Sequence, residues 1–299
     1  MKILVIGGSY FLGRVFTIVA SNDHELTLVN RGKYSMTQFG VREFVADRYE
    51  PMQIAKLPEE EFDVVVDFCA YNPQDIEYFI KNFRGTFKKY IFISTCDVYQ
   101  RNTQERKDEN ALLENRVFQG EVGGYILGKV VLEKEIVRVS KEKGFDYGVI
   151  RPTIIYGPYN YAQKESEYIK MIVHGQKIPM PFDSNSKFQM VYVKDVANAI
   201  LEVAKQEGNS VYNVCGEEVM YEDFFDTLIE VAGKENVQLD YMTVNKILQE
   251  EKFAPFPLTL EETELYDGTK ITKECNFEYT SIREGMDRTF KAFRNVYTN

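Results

Sequence analysis

The segment Tyr125-Ile126-Leu127-Gly128-Lys129 sets a phenol and an ammonium at i and i+4, which a helix brings to one face. A second segment, Ile93-Ser94-Thr95-Cys96-Asp97-Val98-Tyr99, ends an apolar run with hydroxyls and a carboxylate. Ligands of parallel sheets bind at the carboxyl ends of the strands, so the two segments point at one cleft. A third, Gly7-Gly8-Ser9-Tyr10-Phe11-Leu12-Gly13, follows the first apolar run directly and opens a helical pattern through Val15, Ile18 and Val19. Such a turn presents backbone N–H groups and the positive end of a helix to a dinucleotide pyrophosphate. Gly7 permits the tight turn and Gly13 the close approach of helix and strand, although Tyr10 stands where the usual fingerprint has its middle glycine.

The second apolar run ends Val29-Asn30-Arg31-Gly32-Lys33, where an NAD-binding turn would carry a carboxylate for the ribose 2′-hydroxyl. Arg31 can fork two donors onto a 2′-phosphate and Lys33 adds a point charge, so the expected cofactor is NAD(P) with NADP favoured. Asp47, ending the third run, is placed to accept a hydrogen bond from the adenine amino group.

The elements that must position these groups are short β-branched runs at Ile3–Ile6, Leu26–Val29, Phe44–Val45, Val64–Phe68, Tyr90–Ile93 and Tyr147–Ile150, with helical patterns between them. Continuous rather than alternating apolar runs fit strands covered on both faces, which predicts an α/β fold with a doubly wound parallel sheet, a Rossmann fold. Residues 1–155 and 188–216 are expected to form the NAD(P)-binding domain, and 156–187 with 217–299 a smaller substrate-binding α/β domain. Residues 100–116 are almost wholly polar and read as a solvated lid before a helix starting near Gly123-Gly124. Pro152, Pro158, Pro179 and Pro181 mark the next stretch as loops and short helices. Further elements are expected at Met190–Val193, from Asp195, at Val211–Val214, at Phe224–Val231 and at Ile282–Phe293.

Across 299 residues, 36 Lys plus Arg face 46 Asp plus Glu, a formal net charge of −10 that disfavours nucleic acid and anionic membranes as partners. Arg101, Arg106, Lys107 and Arg116 are the only basic cluster, interleaved with Glu105, Asp108, Glu109 and Glu114. The four cysteines stand far apart and there are two histidines, so neither a disulfide framework nor a metal site is expected. No stretch reaches the ~20 apolar residues of a membrane span, and a cytoplasmic protein is expected.

Taken in order, Gly7-Gly8 to Gly13, Ser94-Thr95 to Tyr99, Tyr125 with Lys129, Arg151-Pro152-Thr153-Ile154-Ile155-Tyr156-Gly157-Pro158, Val191 to Ala197 and Tyr212-Asn213-Val214 resemble the short-chain dehydrogenase/reductase superfamily. The likeness is to its extended and atypical branches, the NAD-dependent epimerases and dehydratases, and to an atypical G-G-x-x-x-x-G group related to chloroplast stem-loop-binding proteins. It covers Gly7 to about Gly216 and fades after Tyr221. The resemblance implies a cofactor surface of Gly7, Gly8, Ser9, Tyr10, Phe11, Leu12, Gly13, Asn30, Arg31, Lys33, Asp47, Arg48, Phe68, Cys69, Ala70, Pro152, Thr153 and Ile154. It implies Tyr125 as general acid/base with its pKa drawn toward neutral by Lys129, Thr95 as the ligand of the substrate oxygen, and Asp97, Tyr156, Tyr159, Asn160 and Tyr192 facing substrate. The substrate so implied is a sugar or nucleotide sugar, and a helix-bundle homodimer is the usual assembly. A non-catalytic dinucleotide-binding regulator is the alternative, and RNA binding a more distant one. Intact Thr95, Tyr125 and Lys129 speak against the first, and net charge against the second. Where dehydratases follow the hydroxyl residue with Asp-Glu, Thr95 is followed by Cys96-Asp97, which weakens dehydration as the reaction.

Overall fold

The apolar runs become parallel strands because their side chains are buried on both faces. In chain order the strands are β1 (Lys2–Ile6), β2 (Glu25–Asn30), β3 (Arg42–Val45), β4 (Glu61–Asp67), β5 (Thr86–Ile93), β6 (Asp146–Pro152), β7 (Ile154–Tyr156), β8 (Lys177–Pro181), β9 (Phe188–Tyr192), β10 (Ser210–Val214), β11 (Glu218–Val219) and β12 (Gln238–Met242). This is a computed structural model, and it describes residues 1–101, 106–233 and 237–298. Among these, seven parallel strands form the main sheet in the order β10-β6-β5-β4-β1-β2-β3. The order reverses between β1 and β4, the switch point at which α/β sheets open a ligand crevice.

The helices α1 (Phe11–Ala20), α2 (Pro51–Ile54), α3 (Asp75–Asn82), α4 (Gly120–Lys143), α5 (Glu165–Val173) and α6 (Val193–Lys205) precede α7 (Tyr221–Ala232), α8 (Val244–Gln249), α9 (Thr269–Glu274) and α10 (Ile282–Tyr297). Ile3, Val5, Val64 and Val66 pack with α1 and α6 on one face, and Leu4, Ile6, Val65 and Phe92 with α3 and α4 on the other. Helix α4 starts at Gly120, earlier than the Gly123-Gly124 pair suggested, and ends where Gly144 takes a left-handed conformation. Its Gly128 lies on the connection after β4, since a Cβ there would come within 2.4 Å of the Tyr71 carbonyl oxygen.

Two expectations are corrected. The proline-rich stretch contains strands: β7 and β9 pair with each other and β9 with β11, while β8, carrying Pro179 and Pro181, pairs with β12. A two-stranded sheet leaves both strands an edge, where proline is tolerated. The polar stretch after Gln100 is not a free lid. Tyr99 bridges Leu113, Lys107 bridges Tyr266, and Lys107 and Glu114 are buried. Several of its charges are paired, Arg116 with Glu114 nearby and Lys107 and Arg106 with carboxylates from distant parts of the chain, which lets a polar segment pack. Residues 102–105, with the Glu105 of the basic cluster, lie outside the described residues.

Candidate functional site

At the carboxyl edge of the main sheet lies a cavity of about 880 Å³, within the roughly 300–1,000 Å³ of small-molecule pockets. The glycine turn forms one wall. A Cβ on Gly7 would sit 2.0 Å from the Cys69 sulfur, and one on Gly13 2.5 Å from the Gly7 carbonyl oxygen, so only glycine closes the turn this tightly. No side chain caps the N-terminus of α1 and its first turn has no acidic residue. The first N–H groups are thereby left for an anion, which fits a pyrophosphate. Gly7, Ser9, Tyr10, Phe11, Leu12 and Gly13 line the cavity, whereas Gly8 stays behind it with its carbonyl 2.7 Å from the buried Thr17 hydroxyl.

Asn30, Arg31, Lys33, Asp47, Arg48, Phe68 and Cys69 line the next part. Arg31 and Lys33 are exposed, while Asn30 is a brace: its Oδ1 accepts from the Gly32 N–H (2.7 Å) and its Nδ2 donates to Glu43 (2.5 Å). Arg48 is buried and forks onto Asp67 at 3.1 and 3.0 Å, with a third bond to the Asp75 carbonyl. It reaches the wall as a structural clamp. Ala70 does not line the cavity, but its carbonyl accepts from Lys129.

Thr95, Tyr125 and Lys129 meet in this same cavity, with Pro152, Thr153 and Ile154 beside them. The Thr95 hydroxyl caps the short turn Cys96–Val98, accepting from the Asp97 N–H and donating to the Asp97 carboxylate, both at 3.2 Å. Lys129 is buried and donates to the carbonyls of Ala70 (2.9 Å) and Ile93 (2.8 Å). Burial lowers its pKa to about 8. Its ammonium stands 5.6 Å from the centre of the Tyr125 ring. Tyr125 is 39 % exposed at its edge, but the cleft desolvates the phenol, and Asp97 and Tyr161 act in the same direction. Its pKa is held above the usual value, the reverse of the expected downward shift. Burial is the main cause, and the lysine protons go to the two carbonyls rather than to the phenol oxygen.

Among the residues expected to face substrate, Asp97 and Asn160 line the cavity. Tyr156, Tyr159 and Tyr192 do not. Tyr156 is buried against Tyr192 and against Gly285 of α10, where a Cβ would sit 2.0 Å from its hydroxyl oxygen. Tyr159 lies under the Arg14 guanidinium at 4.6 Å, and Arg288 stands 6.0 Å from the Tyr192 ring. Sequence reasoning missed Tyr34 and Tyr161, which stack with Tyr10 at 5.7 and 4.7 Å beside the glycine turn, and Gln189 and Tyr266 farther along. These come from separate connections, and no spacing rule marks them.

Behind the reacting end runs a buried polar chain. Glu133, one turn beyond Lys129 on α4, accepts from the Ser94 hydroxyl (2.6 Å) and twice from Arg151 (2.9 and 2.5 Å). Burial opposes the Arg151 charge, but Glu133 and Tyr99 outweigh it and hold the guanidinium protonated. Arg151 also donates to the Tyr99 hydroxyl (2.6 Å), which donates to Asn213 (2.6 Å). One carboxylate thus ties together the ends of β5 and β6 and the helix carrying Tyr125.

The basic cluster forms no groove of bare cations: Arg106 pairs with Glu218, Lys107 with Glu264 and Arg116 with Glu114, while Arg101 lines the cavity. Among the described residues no His/Cys/Asp/Glu group could hold a metal, and no helix is long and apolar enough to cross a membrane.

Comparison with known proteins agrees with this architecture. The chain is 26% identical over 253 residues to the chloroplast stem-loop binding protein of 41 kDa b of Arabidopsis thaliana, covering 78% of this chain and 62% of that protein. It is 29% identical over 120 residues to the UDP-glucose 4-epimerase of Vibrio cholerae, covering 38% of this chain and 33% of the relative. The chain thus spans less than two thirds of the length of either relative. In fold it is similar to the UDP-glucose 4-epimerase of Thermotoga maritima, solved with UDP-glucose, at 21% identity, 99% coverage of both chains and a TM-score of 0.76. It is also similar to the UDP-glucuronic acid 4-epimerase of Bacillus cereus, solved with NAD, at 16% identity, covering 100% of this chain and 98% of that one, with a TM-score of 0.76. With its glycine turn, switch-point cavity and Tyr125-Lys129 helix in place, and with the family model matched over residues 3–215, the chain belongs to the NAD dependent epimerase/dehydratase family.

Proposed function

We propose that this protein is an NAD(P)-dependent epimerase or oxidoreductase acting on a carbonyl or secondary alcohol of a sugar or nucleotide sugar. The observation that carries the reading is that Thr95, Tyr125 and Lys129 share one cavity with an uncapped glycine turn. When bound, the dinucleotide supplies a hydride acceptor or donor. The α1 N-terminus would hold its pyrophosphate, and Pro152, Thr153 and Ile154 would border the reacting end. Tyr125 takes up or delivers the proton of the reacting hydroxyl at its phenol oxygen. Thr95 redirects its hydroxyl from Asp97 to the substrate oxygen as charge develops there. Lys129 supplies positive charge beneath the Tyr125 ring and fixes the strand ends through Ala70 and Ile93. A panel of free and nucleotide-linked sugars, followed by nicotinamide absorbance and by product stereochemistry, tests the reading. Net absorbance change identifies a dehydrogenase or reductase, and inverted stereochemistry with steady absorbance an epimerase. Neither, from any member, overturns the assignment.

Cofactor choice is read from Arg31, exposed on the cavity wall in a turn, Asn30-Arg31-Gly32-Lys33, that carries no carboxylate of its own, the nearby Glu43 being engaged by Asn30 and Ser35. NADP is expected to bind more tightly than NAD by about tenfold, the worth of one charge-assisted pair. Arg31→Ala should weaken NADP to the level of NAD and leave NAD nearly unchanged, with the wild-type gap narrowing as salt rises. Dissociation constants for both cofactors at low and high salt check this, and equal wild-type affinities would remove Arg31 from the site.

A further inference from the structure

Three tyrosines from separate parts of the chain meet at the glycine turn. Tyr10, at the N-cap of α1, stacks on the Tyr34 ring at 5.7 Å and 12°, and its other neighbour is the Tyr161 ring at 4.7 Å. Phe11, the first residue of α1, meets Tyr161 edge-on at 6.0 Å. Tyr34 belongs to the connection after β2 that carries Arg31 and Lys33, and Tyr161 to the connection between β7 and α5. All four rings line the cavity, yet Tyr10, Tyr34 and Tyr161 are 45, 40 and 62 % exposed. A ring that faces both the cavity and bulk water stands at the cavity's mouth. The row Tyr34-Tyr10-Tyr161 therefore bridges that mouth, from the wall carrying Arg31 to the loop carrying Asn160.

The backbone does not require these rings. Tyr10 is extended, with φ −134°, and its side chain makes no cap to the helix. The loop that carries Tyr161 is pinned by other groups. Buried Glu165 accepts from the Gly157 N–H (3.1 Å) and from Asn160 Nδ2 (2.9 and 3.1 Å), while Asn160 Oδ1 accepts from the Ala162 N–H (3.0 Å). The Tyr161 side chain can thus turn on a fixed backbone. What it leans on is Tyr10 and Phe11, the residues that open α1 beside the N–H groups left for a pyrophosphate. Two aromatic contacts of this kind favour the closed arrangement over an open one by about tenfold.

Resting on the dinucleotide site proposed above, we infer that Tyr161, closed against Tyr10 and Phe11, is a gate that a dinucleotide must part on its way to the glycine turn and again on its way out. The rings close over an empty and an occupied turn alike, so the gate sets the rates of cofactor exchange and leaves affinity alone. Entry and exit are both scaled by the fraction of time the gate stands open. Stopped-flow mixing with NADPH, followed by its fluorescence and chased with excess NADP, measures both rates. Tyr161→Ala should raise association and dissociation together by about tenfold, with Kd within about threefold of the wild type. Tyr161→Phe keeps the ring and should keep both rates within about threefold of the wild type. Unchanged rates in Tyr161→Ala overturn the gate. So does a Kd weakened about tenfold through dissociation alone, which would make the ring a direct contact of the cofactor. If neither NADPH nor NADH binds any of these proteins, the dinucleotide reading fails and the gate with it, whereas binding with unmoved rates removes the gate alone.

Discussion

Tyr125→Phe is expected to retain NADP affinity within a few-fold and to lose turnover by about 10²–10⁴-fold, the usual worth of a positioned acid/base group. The ring keeps its place beside Tyr71, 6.5 Å between centroids, and above the Lys129 ammonium, so the cavity wall is conserved. What leaves is the phenol oxygen that, in the proposed function, exchanges a proton with the reacting hydroxyl. The pH profile gives the sign. Burial, Asp97 and Tyr161 hold the phenol above its usual pKa, so in the oxidising direction, which needs the phenolate, the wild-type rate should climb with pH. Without the phenol that climb should vanish from the residual activity. Steady-state kinetics with calorimetry on both proteins check it; unchanged kcat in the variant would remove Tyr125 from the chemistry.

Glu133→Ala should lower the unfolding free energy by about 3–5 kcal/mol, because it strands the Arg151 charge in the interior. Arg151 is 4% exposed and no other carboxylate side chain bonds it among its recorded partners. The Ser94 hydroxyl loses its acceptor as well. Urea unfolding measures the loss directly. A double variant, Glu133→Leu with Arg151→Met, should recover part of it, since an apolar pair of similar volume carries no unpaired charge. If Glu133→Ala alone costs under about 1 kcal/mol, water or a rearranged neighbour already solvates the guanidinium.

The main sheet was readable because burial on both faces leaves a strong trace: short runs of mostly β-branched and other apolar residues such as Ile3–Ile6 and Val64–Val66, closed by a turn residue. The glycine turn and the Tyr125-Lys129 spacing were readable because backbone geometry demands them locally. The orientation of Tyr156, Tyr159 and Tyr192 was not, since the side of a loop that meets the cleft is decided by packing partners such as Gly285 and Arg14, far away in sequence. Strand β8 hid behind its two prolines, which argue against a central strand and say nothing against an edge. Arg48, placed on the cofactor surface by the resemblance, does line the cavity, but the hold that Asp67 at the end of β4 has on its guanidinium could not be read from the sequence. The polar stretch around Lys107 looked solvated because its neutralising partner, Glu264, lies 157 residues away.

That separation has a bearing on how the protein comes into being. Apart from Tyr161, the wall built by the glycine turn, Asn30, Arg31, Asp47 and Cys69 comes from residues 6–71, whereas the far wall needs Tyr266. At roughly 5–20 residues per second of synthesis, the two halves emerge on the order of ten seconds or more apart. Loop closure over such a span is also entropically expensive compared with the neighbouring-strand contacts of β1 and β2. The nascent chain therefore completes most of the wall around the glycine turn well before Tyr266 can seal the opposite end, and the enclosed cleft is a late product of maturation.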